Sequence, residues 1–335
     1  TIDSVTIVAV FDESLDSTQA ANSNNYRLND APGSIQQASP LPPLFTEVQL
    51  RLNNLLNAEN VYPLTVKNVS DCAGNTIVIM NSAKAGLPLT DGLMDIVLNE
   101  ILFNPKTDGY DYVELYNRSN KIIDCNQLFA ANKNSSGAII NIYQIIPVSF
   151  LCFPGEFIVI TENSKWLQQN FPVKVPGQLI QMNQLPSLPE DKGTIVVMNF
   201  QGKVVDQLSY EQNWHFPLID NKEGVALERI NYNEPTQEKT NWTSAASTAG
   251  FGTPAFQNSQ FRVDLQVQAQ ISVYPKIFSP DNDGIDDFAT IYCTLTQPGY
   301  VATISIFDAA GRVVKTLIRN ATLSSTGLFR WDGLN

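Results

Sequence analysis

The chain has 335 residues, of which 43% are hydrophobic and 16% charged, and its formal net charge is −12 at pH 7. This length indicates two or three domains, and the apolar fraction argues against wholesale disorder. The acidic balance argues against nucleic acid as a partner, because nucleic-acid-binding proteins displace counterions with basic residues. No apolar run approaches the roughly 20 residues that a transmembrane helix needs. Thr1 leads almost directly into a strand-like run, so we expect the natural N-terminus to lie upstream.

The first predicted domain covers residues 1–86. Its apolar residues alternate at period two between turn-forming residues, which is typical of a β-sandwich. Residues 40–43 are rich in proline, which cannot donate to a central ladder, so they are predicted to form a loop. Residues 83–88 are predicted to form a linker. The predicted strands span residues 5–11, 48–52, 62–66 and 76–79.

The second predicted domain covers residues 92–258. Residues 157–161 are nearly all apolar, which favours a central strand, and one or two helical turns are predicted around residues 164–170. A short turn at Phe200-Gln201 joins two strand-like runs and predicts a hairpin. The predicted strands span residues 96–103, 112–116, 157–161, 194–199, 202–206 and 225–230.

The third predicted domain covers residues 268–335. Too few strands follow Asp281 to close a sandwich, so this domain is predicted to be incomplete. No long helix is predicted anywhere, which excludes βαβ architectures. The expected fold class is therefore all-β, with three consecutive Ig-like β-sandwich domains. The predicted strands of the third domain span residues 271–274, 289–292, 302–308 and 311–317, with a tight turn at Ala309-Ala310.

A series of motifs in the second domain resembles, in content and order, the bacterial lamin tail domain. This resemblance implies an Ig-like sandwich. Ala255 stands where the family usually has glycine, and we expect that departure to touch only a terminal turn. The motifs are Asn99-Glu100-Ile101 with Asn104-Pro105, Tyr112-Val113-Glu114-Leu115-Tyr116-Asn117, Pro154-Gly155-Glu156-Phe157, Gly202-Lys203-Val204-Val205-Asp206, Leu227-Glu228-Arg229, Asn241-Trp242 and Gly252-Thr253-Pro254.

Two further resemblances cover the flanking domains. The Asp-Cys-Ala-Gly-Asn turn at residues 71–75 resembles the Ig-like repeats of S-layer and other bacterial surface proteins. The acidic loop at residues 278–287 and Trp331-Asp332-Gly333 resemble the C-terminal Ig-like modules of gliding-motility-associated and hook-capping proteins. Those modules usually continue into a Gly-x-Tyr closing hairpin. Its absence implies a cut sequence or another cover for the open edge, since bare strand edges invite pairing.

These resemblances imply a non-catalytic structural or adhesion module of an exported bacterial surface protein. Its expected location is extracellular or on the outer-membrane surface, and its expected partners are proteins or glycans there. Two alternatives stay open: an accessory region of an extracellular nuclease or phosphoesterase, or a component bound to the type IX secretion and gliding machinery.

The acidic loop is the best candidate for a binding site. Ca²⁺ takes six to eight oxygen ligands from closely spaced carboxylates and carbonyls, and glycine permits the sharp turn that such loops need. We expect the side chains of Asp281, Asp283 and Asp287, with the carbonyl of Ile285, to hold Ca²⁺. A cation would also relieve the repulsion among the carboxylates. The alternative is a solvated turn whose side chains cap their own backbone.

Catalytic groups are sparse. His215 is the single histidine, so a zinc hydrolase site is nearly excluded and a loop histidine beside packed aromatics is expected. Paired carboxylates can hydrolyse glycosides, but the candidates lie in motifs that the lamin-tail resemblance assigns to the sandwich, and Glu228 beside Arg229 predicts a local ion pair. No enzyme is therefore expected. The candidate carboxylates are Glu100, Glu114, Asp206 and Glu228.

Cysteine and tryptophan each leave two interpretations. Cys125 and Cys152 fall in one predicted domain, so they form either a disulfide in an oxidising compartment or two buried thiols. Trp166, Trp214 and Trp242 lie in loops or at strand ends. They form either anchors of the sandwich core or a platform for a sugar.

Overall fold

The computed structural model describes residues 3–78, 81–262, 270–295, 299–308 and 312–334. Across these residues β-strands dominate, and the two α-helices are Ser17–Ala20 (α1) and Ser164–Asn170 (α2). The predicted all-β sandwich class is confirmed. The predicted helix at 164–170 is confirmed, and α1 was not predicted. Single turns of 3-10 helix lie at Ser23–Asn25, Cys125–Gln127, Pro176–Gln178, Gln212–Trp214, Lys239–Asn241 and Ser247–Ala249.

The chain forms two compact units. The first consists of Thr1–Asp91, Ser119–Asp124 and Phe150–Pro154, and the second of Gly92–Arg118, Cys125–Ser149 and Gly155–Asn335. The second unit thus contains both the middle sandwich and the C-terminal strands. The division into three domains stays a prediction.

Two three-stranded sheets form most of the first unit, in the orders β1-β4-β3 and β2-β5-β6. Val48, Leu50 and Leu52 alternate with more exposed residues along β4, so one face of the strand enters the core. Pro40 is the last residue of the edge strand β3, where a missing N–H donor costs little. The strands are Thr6–Val10 (β1), Tyr26–Leu28 (β2), Ile35–Pro40 (β3), Glu47–Leu52 (β4), Tyr62–Val66 (β5) and Ser82–Ala85 (β6).

The prediction for residues 76–88 was partly wrong. Thr76 makes only an isolated bridge to Ser70, and Ile79 lies outside the described residues. The predicted linker instead contributes β6, which pairs antiparallel with β5. Its sequence, Ser-Ala-Lys-Ala, has almost no apolar alternation, and only Ala85 is buried. The strand is therefore held by its backbone ladder, which leaves little trace in a hydrophobicity pattern.

Twelve strands follow in the middle of the chain. Ten of them form a six-stranded sheet, β14-β13-β8-β7-β17-β18, and a four-stranded sheet, β11-β10-β15-β16, in the second unit; β9 and β12 pair within the first. They are Ile96–Leu102 (β7), Tyr112–Asn117 (β8), Ile123–Asp124 (β9), Leu128–Lys133 (β10), Ile139–Gln144 (β11), Leu151–Cys152 (β12), Phe157–Thr161 (β13), Leu179–Gln181 (β14), Lys192–Asn199 (β15), Val204–Glu211 (β16), Leu227–Arg229 (β17) and Trp242–Ser244 (β18).

Strand β7 is buried at all seven positions, so both of its faces are covered. One face carries Leu98 and Ile101 and the other includes polar Glu100. Strand β13 pairs antiparallel with β8 and parallel with β14, which confirms the prediction of an interior strand. The predicted hairpin at Phe200-Gln201 is also confirmed, between β15 and β16.

The C-terminal region, residues 270–334, forms a three-stranded sheet, β19-β20-β23, and a two-stranded sheet, β21-β22. Its core is small and centres on Cys293, Leu295 and Leu323. The predicted turn at Ala309-Ala310 lies outside the described residues. The strands are Gln270–Tyr274 (β19), Ala289–Thr294 (β20), Val301–Phe307 (β21), Val313–Thr322 (β22) and Thr326–Trp331 (β23).

Candidate functional site

The acidic loop connects β19 to β20. Its base is closed where the Ser279 N–H donates to the Asp286 carbonyl at 3.0 Å. Beside it, the rings of Phe278 and Trp331 pack edge-on with centroids 5.3 Å apart. Gly333 lies so close to Phe278 and Pro280 that a Cβ would approach both within 3.2 Å. Two motifs that are about 50 residues apart in the sequence therefore form one structure that holds the loop.

Three carboxylates converge in this loop. Ligand oxygens of Asp281, Asp283 and Asp287 all lie within 4.8 Å of one another. Two oxygens that each lie about 2.4 Å from one Ca²⁺ ion are at most about 5 Å apart. The three carboxylates therefore fit a single cation of that size. Asp281 and Asp283 are exposed, so an ion could reach them from solvent.

The same carboxylates also cap the loop backbone. Asp287 accepts from the N–H groups of Asn282 at 2.8 Å and Gly284 at 3.0 Å, and Asp283 accepts from Ile285 N–H at 2.8 Å. Such side-chain turns fix the loop without a metal. The backbone capping that the sequence left open as the alternative is therefore present, and calcium binding by the loop stays a prediction. Of the four predicted ligands it brings three side chains together, and coordination by the Ile285 carbonyl stays a prediction.

A second polar cluster, which we call the carboxylate row, lies on one face of the six-stranded sheet. Glu114 on β8 pairs with Glu100 on β7, and Glu100 pairs with Glu228 on β17. All three side chains are completely buried. Directly paired residues on neighbouring strands have Cβ atoms about 4.5–5.5 Å apart, and like charges there are destabilising. Three glutamates therefore lie side by side across three adjacent strands.

Residues 253–260, which we call the strap, supply most of the hydrogen bonds to the row. Thr253 N–H donates to Glu100 Oε1 at 2.9 Å, and Ala255 N–H donates to Glu114 Oε2 at 2.6 Å. Gln260 N–H donates to Glu228 Oε2 at 2.9 Å, and the hydroxyl of Thr253 donates to Glu228 Oε1 at 2.9 Å. A buried carboxylate is tolerated only when its oxygens are hydrogen-bonded. The row thus attaches the strap to the sheet.

Burial and mutual repulsion shift the titration of the row. Burial, with the charge of Glu228, raises the pKa of Glu100 to about 8. Burial and the charge of Glu100 raise the pKa of Glu114 well above its usual range, and burial raises that of Glu228. The row therefore retains protons at neutral pH. Because the three carboxyl groups are completely buried and each accepts hydrogen bonds from protein groups, the row offers no free base to a substrate.

The predicted ion pair between Glu228 and Arg229 is wrong. Successive strand residues point to opposite faces of a sheet. Glu228 therefore faces the strap, whereas Arg229 faces Asp206, with Nη1 to Oδ2 at 3.7 Å. Burial lowers the pKa of Arg229 to about 10 and raises that of Asp206, so desolvation outweighs their mutual attraction in both groups. Arg229 also donates to three backbone carbonyls, those of Leu98, Asn231 and Glu234.

His215 occupies a buried, structural position. Its Nδ1 lies 2.8 Å from Ser244 Oγ, and its ring packs against Phe103 at 5.3 Å. Burial lowers the pKa of His215 to about 4, so the ring is neutral near pH 7. Trp242 is a core anchor whose indole N–H donates to the Thr236 carbonyl at 2.7 Å. Trp166 is half-buried and packs edge-on against Tyr110 and Phe171.

All four cysteines lie in the described part of the chain, and no disulfide joins them. Cys125 and Cys152 are both buried, which is the second of the two interpretations that the sequence left open. Within the described part of the chain, no helix combines the length and the apolar character needed to cross a bilayer.

Comparison with known proteins gives only distant structural matches. No family model and no curated protein match the sequence. A DUF4876 family protein from Bacteroides thetaiotaomicron matches over 77% of this chain and 93% of its own, with 12% identity and a TM-score of 0.28. Two structures of the S-layer protein SbsC match with 10% and 13% identity and TM-scores of 0.23 and 0.22. They cover 95% and 99% of this chain, which spans 58% and 62% of theirs. Similarity at this level carries no inference about function.

Proposed function

We propose that this chain is a non-catalytic module of an exported bacterial surface protein, and that Ca²⁺ bound by Asp281, Asp283 and Asp287 stabilises its C-terminal region. The observation that carries the calcium proposal is the approach of the three carboxylates to within 4.8 Å of one another. The ion would offset their repulsion and would hold the loop where it packs on Phe278 and Trp331. The affinity expected for an extracellular module corresponds to a dissociation constant of about 10⁻⁴–10⁻³ M.

The burial and hydrogen bonding of the candidate catalytic side chains support the proposal that the chain is not an enzyme. The glutamates of the carboxylate row are completely buried and accept hydrogen bonds from protein groups, and His215 is also buried. A general base must lie within hydrogen-bond reach of its substrate. None of these side chains meets that requirement in the folded protein.

The surface location and its details rest on the motif resemblances. We propose a lamin-tail-like middle sandwich, an S-layer-like first domain and a gliding-type C-terminal region, with cell-surface proteins or glycans as partners. The accessory region of an extracellular hydrolase and a component of the type IX machinery are the competing proposals. An upstream reading frame with a catalytic domain would favour the first of these, and co-purification with a membrane β-barrel would favour the second.

Calcium is expected to stabilise the folded protein. At a Ca²⁺ concentration about 10- to 100-fold above the dissociation constant, binding contributes about 1.4–2.7 kcal/mol to the free energy of unfolding of the C-terminal region. Thermal unfolding, followed in EDTA and in about 10 mM CaCl₂, should therefore show a higher midpoint with calcium. Asp283→Asn should abolish the response, because it removes one ligand charge while keeping an oxygen that can accept from Ile285 N–H.

Asp286→Asn is the matched control. Asp286 lies in the same loop and carries the same charge, but its carboxylate is not part of the three-carboxylate group. This variant should keep the calcium response. If the wild-type midpoint does not change with calcium, or if both variants lose the response equally, the proposed site is wrong.

A further inference from the structure

We propose that the carboxylate row and the strap form a proton-dependent clasp, which holds the C-terminal region on the middle sandwich and loosens as the pH rises. This proposal concerns a part of the second unit away from the acidic loop and does not depend on calcium.

The first step of the argument is that the closed clasp requires protons. Glu114, Glu100 and Glu228 occupy directly paired positions on adjacent strands and are inaccessible to water. The one buried cation beside this sheet, among the described residues, is Arg229, and it is engaged on the opposite face with Asp206. Neighbouring carboxylates in a shared buried site cannot all be ionised. The raised pKa values of the three groups agree with this geometry.

The second step is that the strap covers the row. The side chains of residues 253–260 contain no ionisable group, so the strap offers hydrogen bonds but no compensating charge. When the row loses its protons, the ionised carboxylates are stabilised most strongly by hydration, because a buried charge without a partner has a high free energy. Water reaches them only if the strap leaves the sheet. Proton loss and strap opening are therefore thermodynamically linked.

The third step is that the strap also binds the C-terminal region. Ser325 N–H donates to the Ser259 carbonyl at 3.0 Å, and Gln260 Nε2 donates to the Leu323 carbonyl at 3.0 Å. Ser259 and Gln260 are the same residues that donate to Glu228. Opening of the strap therefore breaks two of the hydrogen bonds that hold the C-terminal region on the middle sandwich. A further contact, Ser247 N–H to Thr322 Oγ1 at 2.8 Å, lies outside the strap.

The other titratable groups around the row do not obscure its titration. Tyr112 donates to Glu100 Oε1 at 2.8 Å, and burial, with the charge of Glu100, raises its pKa well above the usual value. Burial and the charges of Glu114 and Glu228 also raise the pKa of Tyr232. Both tyrosines therefore stay neutral while the glutamates titrate. Asp111, whose pKa burial raises to about 7, also titrates in the same pH range as the glutamates. It is unchanged in a Glu100→Gln variant, so that variant separates the titration of the row from that of Asp111.

Native-state hydrogen exchange on the whole chain tests the clasp. The amides of Ala255, Gln260 and Ser325 are the reporters, and interior amides of β15 and β16 report global unfolding. We expect the reporters to share one protection factor, lower than that of the interior amides. It should fall about tenfold per pH unit between pH 5.5 and 7.5, after correction for intrinsic exchange.

A neutral variant separates the proton effect from packing. Glu100→Gln mimics the protonated side chain, since its Oε1 can still accept from Tyr112 and Thr253 while its amide faces the Thr253 hydroxyl. We expect its reporter protection to vary much less with pH. Glu211→Gln, at an exposed glutamate of the same unit, should behave like wild type.

Three results would overturn the clasp. Reporter protection could be independent of pH in the wild type. It could equal that of β15 and β16 at every pH, which would mean that the strap opens only by global unfolding. Ser325 could also retain its protection while Ala255 and Gln260 lose theirs, which would show that the docking is not linked to the row. The wild-type titration alone decides among these results, so the test does not require the variant to fold.

Discussion

Replacing Arg229 with methionine should lower the free energy of unfolding of the second unit by about 3–5 kcal/mol. The substitution leaves Asp206 buried with its pairing charge removed, and it deprives three backbone carbonyls of a donor. A buried ion pair adds little net stability, but removal of one partner leaves an uncompensated charge in a medium of low polarity. Urea denaturation at pH 7, monitored by tryptophan fluorescence, measures the loss.

Arg312→Met provides the contrast. The ion pair of Arg312 with Asp308 is shorter, at 2.7 Å, but Arg312 is 83% exposed. Exposed pairs contribute about 0–1 kcal/mol, so this variant should unfold almost like wild type. The double substitution Arg229→Met with Asp206→Asn should recover part of the loss, because it removes the orphaned charge. An Arg229→Met protein as stable as Arg312→Met would contradict the assignment of Arg229 as a buried, multiply bonded anchor.

The free energy of unfolding should fall as the pH rises from 6.5 to 8. Glu100 has a folded pKa of about 8 and an ordinary value when unfolded, so its contribution is complete below about pH 4.5 and is lost by about pH 8. This corresponds to about 1.4 kcal/mol per pH unit for one group. His215 acts in the opposite direction, because its pKa of about 4 makes stability rise between about pH 4 and 6.5. Asp111 acts in the same direction as Glu100, because burial, with the charge of Glu162, raises its folded pKa to about 7. A net fall is therefore expected once the pH exceeds 6.5, where the opposing contribution of His215 is complete.

Urea denaturation at pH 6.5 and pH 8 measures this difference, which should be about 2 kcal/mol from Glu100 alone. Glu100→Gln should remove that part of the pH dependence, whereas the exposed Glu211→Gln should keep it. A wild-type stability that increases between these pH values would show that the row is ionised when folded.

The sequence predicted strands best where apolar side chains fill the interior. Strands β7, β13 and β15 each contain a run of at least three consecutive apolar residues, and they lie within two residues of their predicted bounds. Strand β6 was missed because most of its side chains are exposed, and β2 was missed because it has only three residues. Edge and short strands depend on pairing partners that are distant in sequence, and periodicity within the segment cannot reveal them.

The acidic loop and the carboxylate row also differ in how far apart their residues lie in the sequence. The ligands of the acidic loop lie within seven consecutive residues, so local spacing was enough to predict that Asp281, Asp283 and Asp287 converge. The carboxylate row joins three strands and a strap that is 153 residues from Glu100. Each glutamate lies in a recognised motif, but only the strand register shows that the motifs meet side by side.

The alanine at position 255 was expected to affect only a terminal turn, but the structure shows a wider effect. Ala255 has a φ of 66°, which is in the left-handed region that favours glycine. Its methyl group is buried beside Leu102 and Tyr112, and its N–H contacts Glu114. Burial of a methyl group contributes about 0.8 kcal/mol, which is comparable to the cost of the left-handed conformation. The departure from glycine therefore reaches the core and the carboxylate row.

The long sequence separation between the strap and the carboxylate row has a consequence for the order of folding. Chain synthesis delivers β7 and β8 well before residues 253–260, and contacts between such distant segments form slowly because loop closure must come first. Until the strap arrives, the three glutamates face water and stay charged. Completion of the middle sandwich thus coincides with proton uptake, so a folding rate limited by this step should increase in mildly acidic solution.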